Sequence, residues 1–199
     1  MIPALVLAAG KSTRMGSPKA LLPLGPTDTF LTCVIRTFQQ AGVDDVVVVL
    51  GHEAEAIESS VLARGLSCRF VRNPDFERGQ LSSLLAGLRA VDRPGVVGVL
   101  MTLVDVPLVS PATVRAVLDR YHSSRASIVR AVRGALHGHP VLIDRRLFEE
   151  LRAADPVSGA KPVIRGHVSA AGDVEVDDEG AFLDIDTPEE YARALARVV

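Results

Sequence analysis

The stretch Leu7-Ala8-Ala9-Gly10-Lys11-Ser12-Thr13-Arg14-Met15-Gly16-Ser17-Pro18-Lys19 decides how this chain reads. An apolar run, Pro3 to Leu7, leads into it and predicts a buried strand ending at Ala8 or Ala9. A turn of small residues follows, and such a turn lets main-chain N–H groups approach a ligand closely. Arg14 and Lys19 would then meet an anion held there, and the economical anion is a polyphosphate. Two better-known phosphate loops fail on spacing. Gly10-Lys11-Ser12 imitates the end of a Walker A loop, but that motif needs a glycine where Leu5 sits inside the strand. The dinucleotide fingerprint needs a second glycine where Ser12 stands. The plain alternative is an ordinary strand-to-helix turn with surface charges.

The chain has 199 residues, enough for one sizeable domain spanning 1–199. Hydrophobic residues make up 48% and aromatics 4%, so the core must be aliphatic. A net charge of −2 argues against bulk electrostatic binding to nucleic acid or a membrane surface. It leaves room for a local phosphate site. Cys33 and Cys68 lie in apolar periodic stretches and read as buried free thiols of a reducing cytosol, with a disulfide as the alternative. The N-terminus carries no leader pattern and no apolar run approaches a membrane span, so a soluble, cytoplasmic protein is expected.

Outward from the loop, strand and helix patterns alternate. Phe30, Val34, Ile35 and Phe38 share one helical face, closed by Ala41-Gly42. Val46–Leu50 is a β-branched run too short for a helix. Ala54–Arg64 predicts a helix stopped by Gly65, Ser67–Val71 a strand, and Gln80–Val91 a helix. Val96–Leu103 predicts a further strand, and Pro111–His122 a helix with proline in its first turn. Repeated βα units predict an α/β fold: Rossmann-like, one domain, a mostly parallel central sheet with helices on both faces. Beyond residue 126 the pattern loosens. Ser127–Val132 and Pro140–Ile143 look like strands joined by a loop, and Asp144–Ala153 and Lys161–Arg165 like helices. Phe182–Ile185 reads as a brief strand. Thr187-Pro188-Glu189-Glu190 opens a last helix to Val199, with Thr187 and Glu190 forming a capping box.

Ligands of open α/β sheets bind outside the carboxyl ends of the strands. Three places there carry suitable chemistry. Main-chain groups of Leu7, Ala8, Ala9 and Gly10 could hold phosphates, with Arg14 and Lys19 neutralising charge on the α-phosphate during attack. Lys11 reads as a solvated lysine. Asp105 follows an apolar strand, where a carboxylate is costly unless it meets a cation. Mg²⁺ held by one or two carboxylates plus phosphate oxygens would satisfy it, and a strand-end cap is the alternative. In Asp184-Ile185-Asp186, strand periodicity puts both carboxylates on one side. Asp186 is the better second Mg²⁺ ligand, Asp184 a hydrogen-bonding neighbour, and plain helix capping the alternative. His137 and His139 lie two apart, but no further ligand completes a zinc site. His52 could border a base or simply bond locally.

The loop pattern L-A-A-G-x-x-x-R-M-G-x-x-K resembles the signature of the MobA-like nucleotidyltransferases, in particular the molybdenum cofactor cytidylyltransferases. The likeness extends over the whole chain. Leu103-Val104-Asp105-Val106-Pro107 is similar to the family's Mg²⁺-holding Asp-x-Pro, with Val104 where relatives carry smaller residues. Asp184-Ile185-Asp186-Thr187-Pro188-Glu189-Glu190 resembles its closing motif. Asn73-Pro74 with Gly79, Gln80 and Ser83 resembles the segment that reads a pyrimidine. Gly138-His139-Pro140 resembles a G-H-P segment bordering the second substrate, and Gly159-Ala160-Lys161 matches G-A-R with lysine in place of arginine. The resemblance implies attack by a phosphate monoester on the α-phosphate of CTP, with release of pyrophosphate. Asp105 and Asp186 would hold the metal, and Lys19, Arg14 and Asp105 would carry the chemistry. The second substrate would be a phosphorylated molybdenum-bearing pterin, and a molybdenum hydroxylase a possible partner. The rival readings are a transferase of the same fold using GTP or a sugar or polyol phosphate, and a non-catalytic cofactor-delivery protein.

Overall fold

Ala4 to Ala8 are all buried and form β1 (Ala4–Ala8), an interior strand of the computed structural model, which describes residues 1–197. A two-stranded ribbon follows, β2 (Pro23–Leu24) and β3 (Asp28–Thr29). Then come α1 (Phe30–Gln40), β4 (Val46–Leu50), α2 (Ala54–Ala63), β5 (Arg69–Arg72), α3 (Gln80–Val91), β6 (Gly98–Leu103) and α4 (Pro111–Ser124). The second half runs β7 (Ile128–Arg133), β8 (Leu136–Asp144), α5 (Phe148–Arg152), α6 (Lys161–Gly166), β9 (Asp173–Glu175) and α7 (Pro188–Leu195).

The main sheet has seven strands in the order β5-β4-β1-β6-β8-β7-β9. Only β8 pairs antiparallel with both neighbours; the other pairings are parallel. The sheet is thus mostly parallel, as the βα alternation requires. Both its faces are covered, which explains strands without polar positions. Ala4, Val6 and Ala8 pack with α1, α2 and α4, whereas Leu5 and Leu7 pack with α3, α5 and α6. Each fully buried Val or Leu of β1 and β4 contributes at most about 1.5–3 kcal/mol. The chain leaves β1 toward β4 and β5, then returns through α3 to place β6 on the other side. That reversal opens a crevice at the carboxyl ends of β1 and β6.

Three expectations need correction. No strand forms at Phe182–Ile185. Residues Glu179–Phe182 make a 3₁₀ turn capped by Asp178, whose Oδ1 accepts from the Gly180 N–H at 3.1 Å, and extended but unpaired chain follows. Residues 134–139 are not a loop. A two-residue turn at Gly134-Ala135, with φ +59° at the glycine, leads straight into β8. The strand β9 escaped notice because three residues, Asp-Val-Glu, bury only Val174. The capping box at Thr187 is present, and the helix expected to reach Val199 ends at Leu195; residues 198 and 199 lie outside the described residues. Cys33 and Cys68 are unpaired and half-buried, their thiols pushed up to about 11 by desolvation. No helix among the described residues is long and apolar enough to cross a membrane.

Gly138 of β8 lets the chain leading to Asp184 pass close by. A Cβ there would sit 2.4 Å from the Ala181 carbonyl oxygen and 2.8 Å from the Phe182 ring. Backbone cannot yield cheaply to such overlap. Gly138→Ala is therefore expected to cost about 1–3 kcal/mol, read as a lower urea midpoint with an unchanged slope.

Candidate active site

Four separate segments meet at the β1–β6 crevice. After β1 the chain turns at Ser12 (φ +51°) and Gly16 (φ +68°), and the Ser12 hydroxyl accepts from the Lys19 N–H at 3.0 Å. This folds the loop back so that the Lys19 side chain, only 10% exposed, points under it. Asp105 comes off the end of β6. Asp186 is brought alongside by the Ile185 N–H, which donates to the Asp105 carbonyl at 2.9 Å. The α7 cap then fixes Asp186: the Glu190 carboxylate accepts from the N–H groups of Asp186 and Thr187 at 2.8 and 2.9 Å. A helix start written in the sequence thus becomes the anchor of a site residue.

Lys19 joins the two carboxylates. Its Nζ donates to Asp105 Oδ2 at 2.8 Å and also to Asp186 Oδ1. Burial alone would lower its pKa, but the two carboxylates outweigh burial and hold it above the ordinary lysine value. In turn the Lys19 hydrogen bond holds the Asp186 carboxyl below its usual range. Arg14 Nη2 lies 3.5 Å from Asp186 Oδ1 and is otherwise open to solvent. Asp105 Oδ1 is buried without a hydrogen-bond partner. A bare acceptor oxygen beside a second carboxylate fits a divalent cation. Among the described residues no group of three or more His, Cys, Asp or Glu could hold a metal unaided. Such an ion would need oxygens from a ligand as well.

These groups line a cavity of about 350 Å³. Leu7, Ala8, Ala9 and Gly10 form one wall, and Gly79, Gln80 and Ser83 at the start of α3 form another. Arg14, Lys19, Asp105 and Asp186 close the polar end. Asn73 lies elsewhere. It is buried, its amide donates to Ser82 and Ser83 at 2.9 and 3.0 Å, and its carbonyl accepts from the Asp75 N–H. Its amide is therefore spent on holding the α3 entry rather than turned to the cavity. Asp184 lies on extended but unpaired chain and lines a neighbouring groove with His139; burial, and then the charges of Asp105 and Asp186 beside it, hold its carboxyl above the usual range. His52 bonds locally to Glu53, and its N–H donates to the Ala9 carbonyl. Phe76, unremarked in the sequence, completes the cavity wall and packs on Gly51, where a Cβ would lie 2.6 Å away. An aromatic residue inside a polar loop was the available signal. Lys11 is not simply solvated: it pairs with Glu77 and lies 5.9 Å over the Phe76 ring.

Residues 4–172 match the model of the MobA-like NTP transferase domain. Among curated proteins, the chain is 34% identical to "Nicotine blue oxidoreductase" of Paenarthrobacter nicotinovorans, over 96% of this chain and 95% of that one. It is 24% identical to "Molybdenum cofactor cytidylyltransferase" of Escherichia coli K12, over 98% and 96%. Among solved structures, Rv0371c of Mycobacterium tuberculosis H37Rv superposes with a TM-score of 0.80 at 30% identity, covering 98% of both chains. A manganese complex of that protein superposes at 0.75, covering 99% of both.

Lys19→Met removes the cation that depresses Asp186. Its carboxyl is expected to titrate upward, into the ordinary range near about 4, in a ¹³C NMR pH series. A depressed carboxylate stabilises the fold above its unfolded pKa and loses that contribution as pH falls through the folded value. The stability gap between wild type and variant should therefore narrow below about pH 4.

Proposed function

The chain belongs to the MobA-like NTP transferase family, and from that premise we propose that it is a Mg²⁺-dependent cytidylyltransferase acting on a phosphorylated molybdenum-pterin. The observation that carries this reading is the buried Lys19 between Asp105 and Asp186 at the mouth of β1. The L-A-A-G form of the loop and the likeness to a cytidylyltransferase support CTP as the donor.

In this reading, main-chain groups from Leu7 to Gly10 cradle the triphosphate, while Gly79, Gln80 and Ser83 border the base. Asn73 supports that border from behind. Asp105 and Asp186 would hold Mg²⁺, whose chemistry there would be to neutralise phosphate charge. The bare Oδ1 of Asp105 and the manganese-bound neighbour support a divalent ion there. An oxygen of the acceptor phosphate forms a bond to the α-phosphorus, and the bond from that phosphorus to the bridging oxygen breaks. Pyrophosphate leaves with the electron pair. Lys19 turns from the carboxylates toward the α-phosphate as negative charge grows, and Arg14 meets the leaving phosphates. The rest is positioning, and no covalent enzyme intermediate is needed.

A second reading is a non-catalytic protein that delivers cofactor to a molybdenum hydroxylase. The relative named as an oxidoreductase rather than a transferase favours it. Pyrophosphate release from CTP in the presence of pterin cofactor separates the two, since a carrier would release none.

Calorimetric titration is expected to show Mg·CTP binding more tightly than Mg·GTP; preference for GTP would overturn the cytidylyl assignment. Asp105→Asn should lower turnover by about 100-fold or more while circular dichroism stays native. An active variant would remove Asp105 from the metal site.

A further inference from the structure

The polar end of the cavity carries its own counter-ion. Lys19 Nζ donates to Asp105 Oδ2 at 2.8 Å and to Asp186 Oδ1, so one oxygen of each carboxylate is taken. Arg14 Nη2 stands 3.5 Å from the same Asp186 oxygen. These four are the charged residues of the cavity lining, and their charges balance. The buried Oδ1 of Asp105 is left without a partner. One such oxygen is a poor seat for a magnesium-like ion, which takes one or two carboxylates together with phosphate oxygens.

The two carboxylates are held in place from behind. The Ile185 N–H donates to the Asp105 carbonyl at 2.9 Å, and the Glu190 carboxylate accepts from the Asp186 N–H at 2.8 Å. Lys19 is anchored at its main chain, where its N–H donates to the Ser12 hydroxyl at 3.0 Å, and its long side chain turns about its own bonds. Its carboxylate partners and the wall from Leu7 to Gly10 line one cavity, so the ammonium can change partners without leaving it. A divalent ion that enters alone meets two cations and one spare oxygen. A triphosphate supplies oxygens of its own and offers the two cations a stronger anion. A ligand's apparent affinity falls with the fraction of molecules whose site is free to receive it.

We infer that Lys19 is an internal plug: its ammonium bars divalent ions from Asp105 and Asp186 until a polyphosphate anion draws it away. Metal and triphosphate therefore enter the site together. The turn of Lys19 toward phosphate begins when the triphosphate arrives and is completed as charge grows in the reaction. This rests on the metal-dependent transferase reading above and adds to it an order of binding enforced by one side chain.

Manganese binding to the full chain, read by water-proton relaxation, tests it, because protein-held Mn²⁺ relaxes water differently from Mn²⁺ or Mn·CTP in free solution. Without nucleotide, Lys19→Met should hold Mn²⁺ at least about tenfold more tightly than wild type, and a smaller difference would overturn the plug. Lys19→Met/Asp105→Asn should lose that gain; a gain that survives would overturn the plug by placing the ion elsewhere. Lys19→Gln serves in the same comparison if circular dichroism shows the methionine variant unfolded. Wild type decides independently of any variant: CTP should tighten its hold on Mn²⁺ by at least about tenfold. GTP or tripolyphosphate producing that rise where CTP does not would sink the cytidylyl reading and spare the plug. No rise with any of the three would overturn the plug.

Discussion

A buried ammonium group must find negative charge or lose its proton, and that constraint organises this molecule around Lys19. Two carboxylates satisfy it, one from the end of β6 and one from the threshold of α7. Each depends on structure far from it in the chain. The loop that carries Lys19 turns only because Ser12 adopts a left-handed backbone and its hydroxyl receives the Lys19 N–H. Asp105 is in place because β6 pairs beside β1 in register, Leu7 opposite Leu103. Asp186 is in place because a helix cap immobilises the chain on its far side. The polar centre and the aliphatic sheet are therefore one construction: the sheet sets strand ends to within a residue, and those ends hold the charges.

Much of this was legible in the amino-acid order, and where it was not the reasons are physical. Runs such as Val46–Leu50 bury both faces, so apolar continuity alone identified the strands. The cap at Thr187 and the proline opening α4 are local chemistry and read directly. The loop residues Leu7 to Gly10, Arg14 and Lys19 do gather with Asp105 and Asp186 around one cavity, as their positions at strand ends implied. Asn73 misled because a buried amide that braces a loop looks, in sequence, like one that reads a base. The segment at Asp184 misled only as a strand: it is extended but finds no partner in the sheet. β8 was underestimated because its opening residues, Leu136 to His139, carry no apolar run, whereas His137 and His139 are polar positions of a strand that line an open groove. Phe76 was passed over because its partner is the empty space above Gly51, so that only its aromatic character within a polar loop marked it.

The reversed strand β8 gives the sheet two characters. On one side of β6 lies the parallel half that forms the loop carrying Lys19, and on the other lies a hairpin whose polar residues border the adjoining groove. Cavity and groove meet at Leu7 and Leu103, across the seam between β1 and β6. Changes in the hairpin or in α6 can therefore remodel one pocket while the other stays as it is, which suits a fold shared by relatives named for different activities.

Lys19 and Asp186 stand 167 positions apart along the chain, yet they touch. During synthesis the amino-terminal half emerges first and can assemble β1, β4, β5 and β6 around their own aliphatic contacts. Its lysine then has one counter-charge in reach, and the other is still within the ribosome. The centre is completed only when the final helix has left the exit tunnel and closed over the ribbon, where the Tyr191 hydroxyl donates to the Pro23 carbonyl at 2.7 Å. A nascent polypeptide thus holds Lys19 against a single counter-charge until α7 has folded, and that helix serves as the clasp that completes the centre.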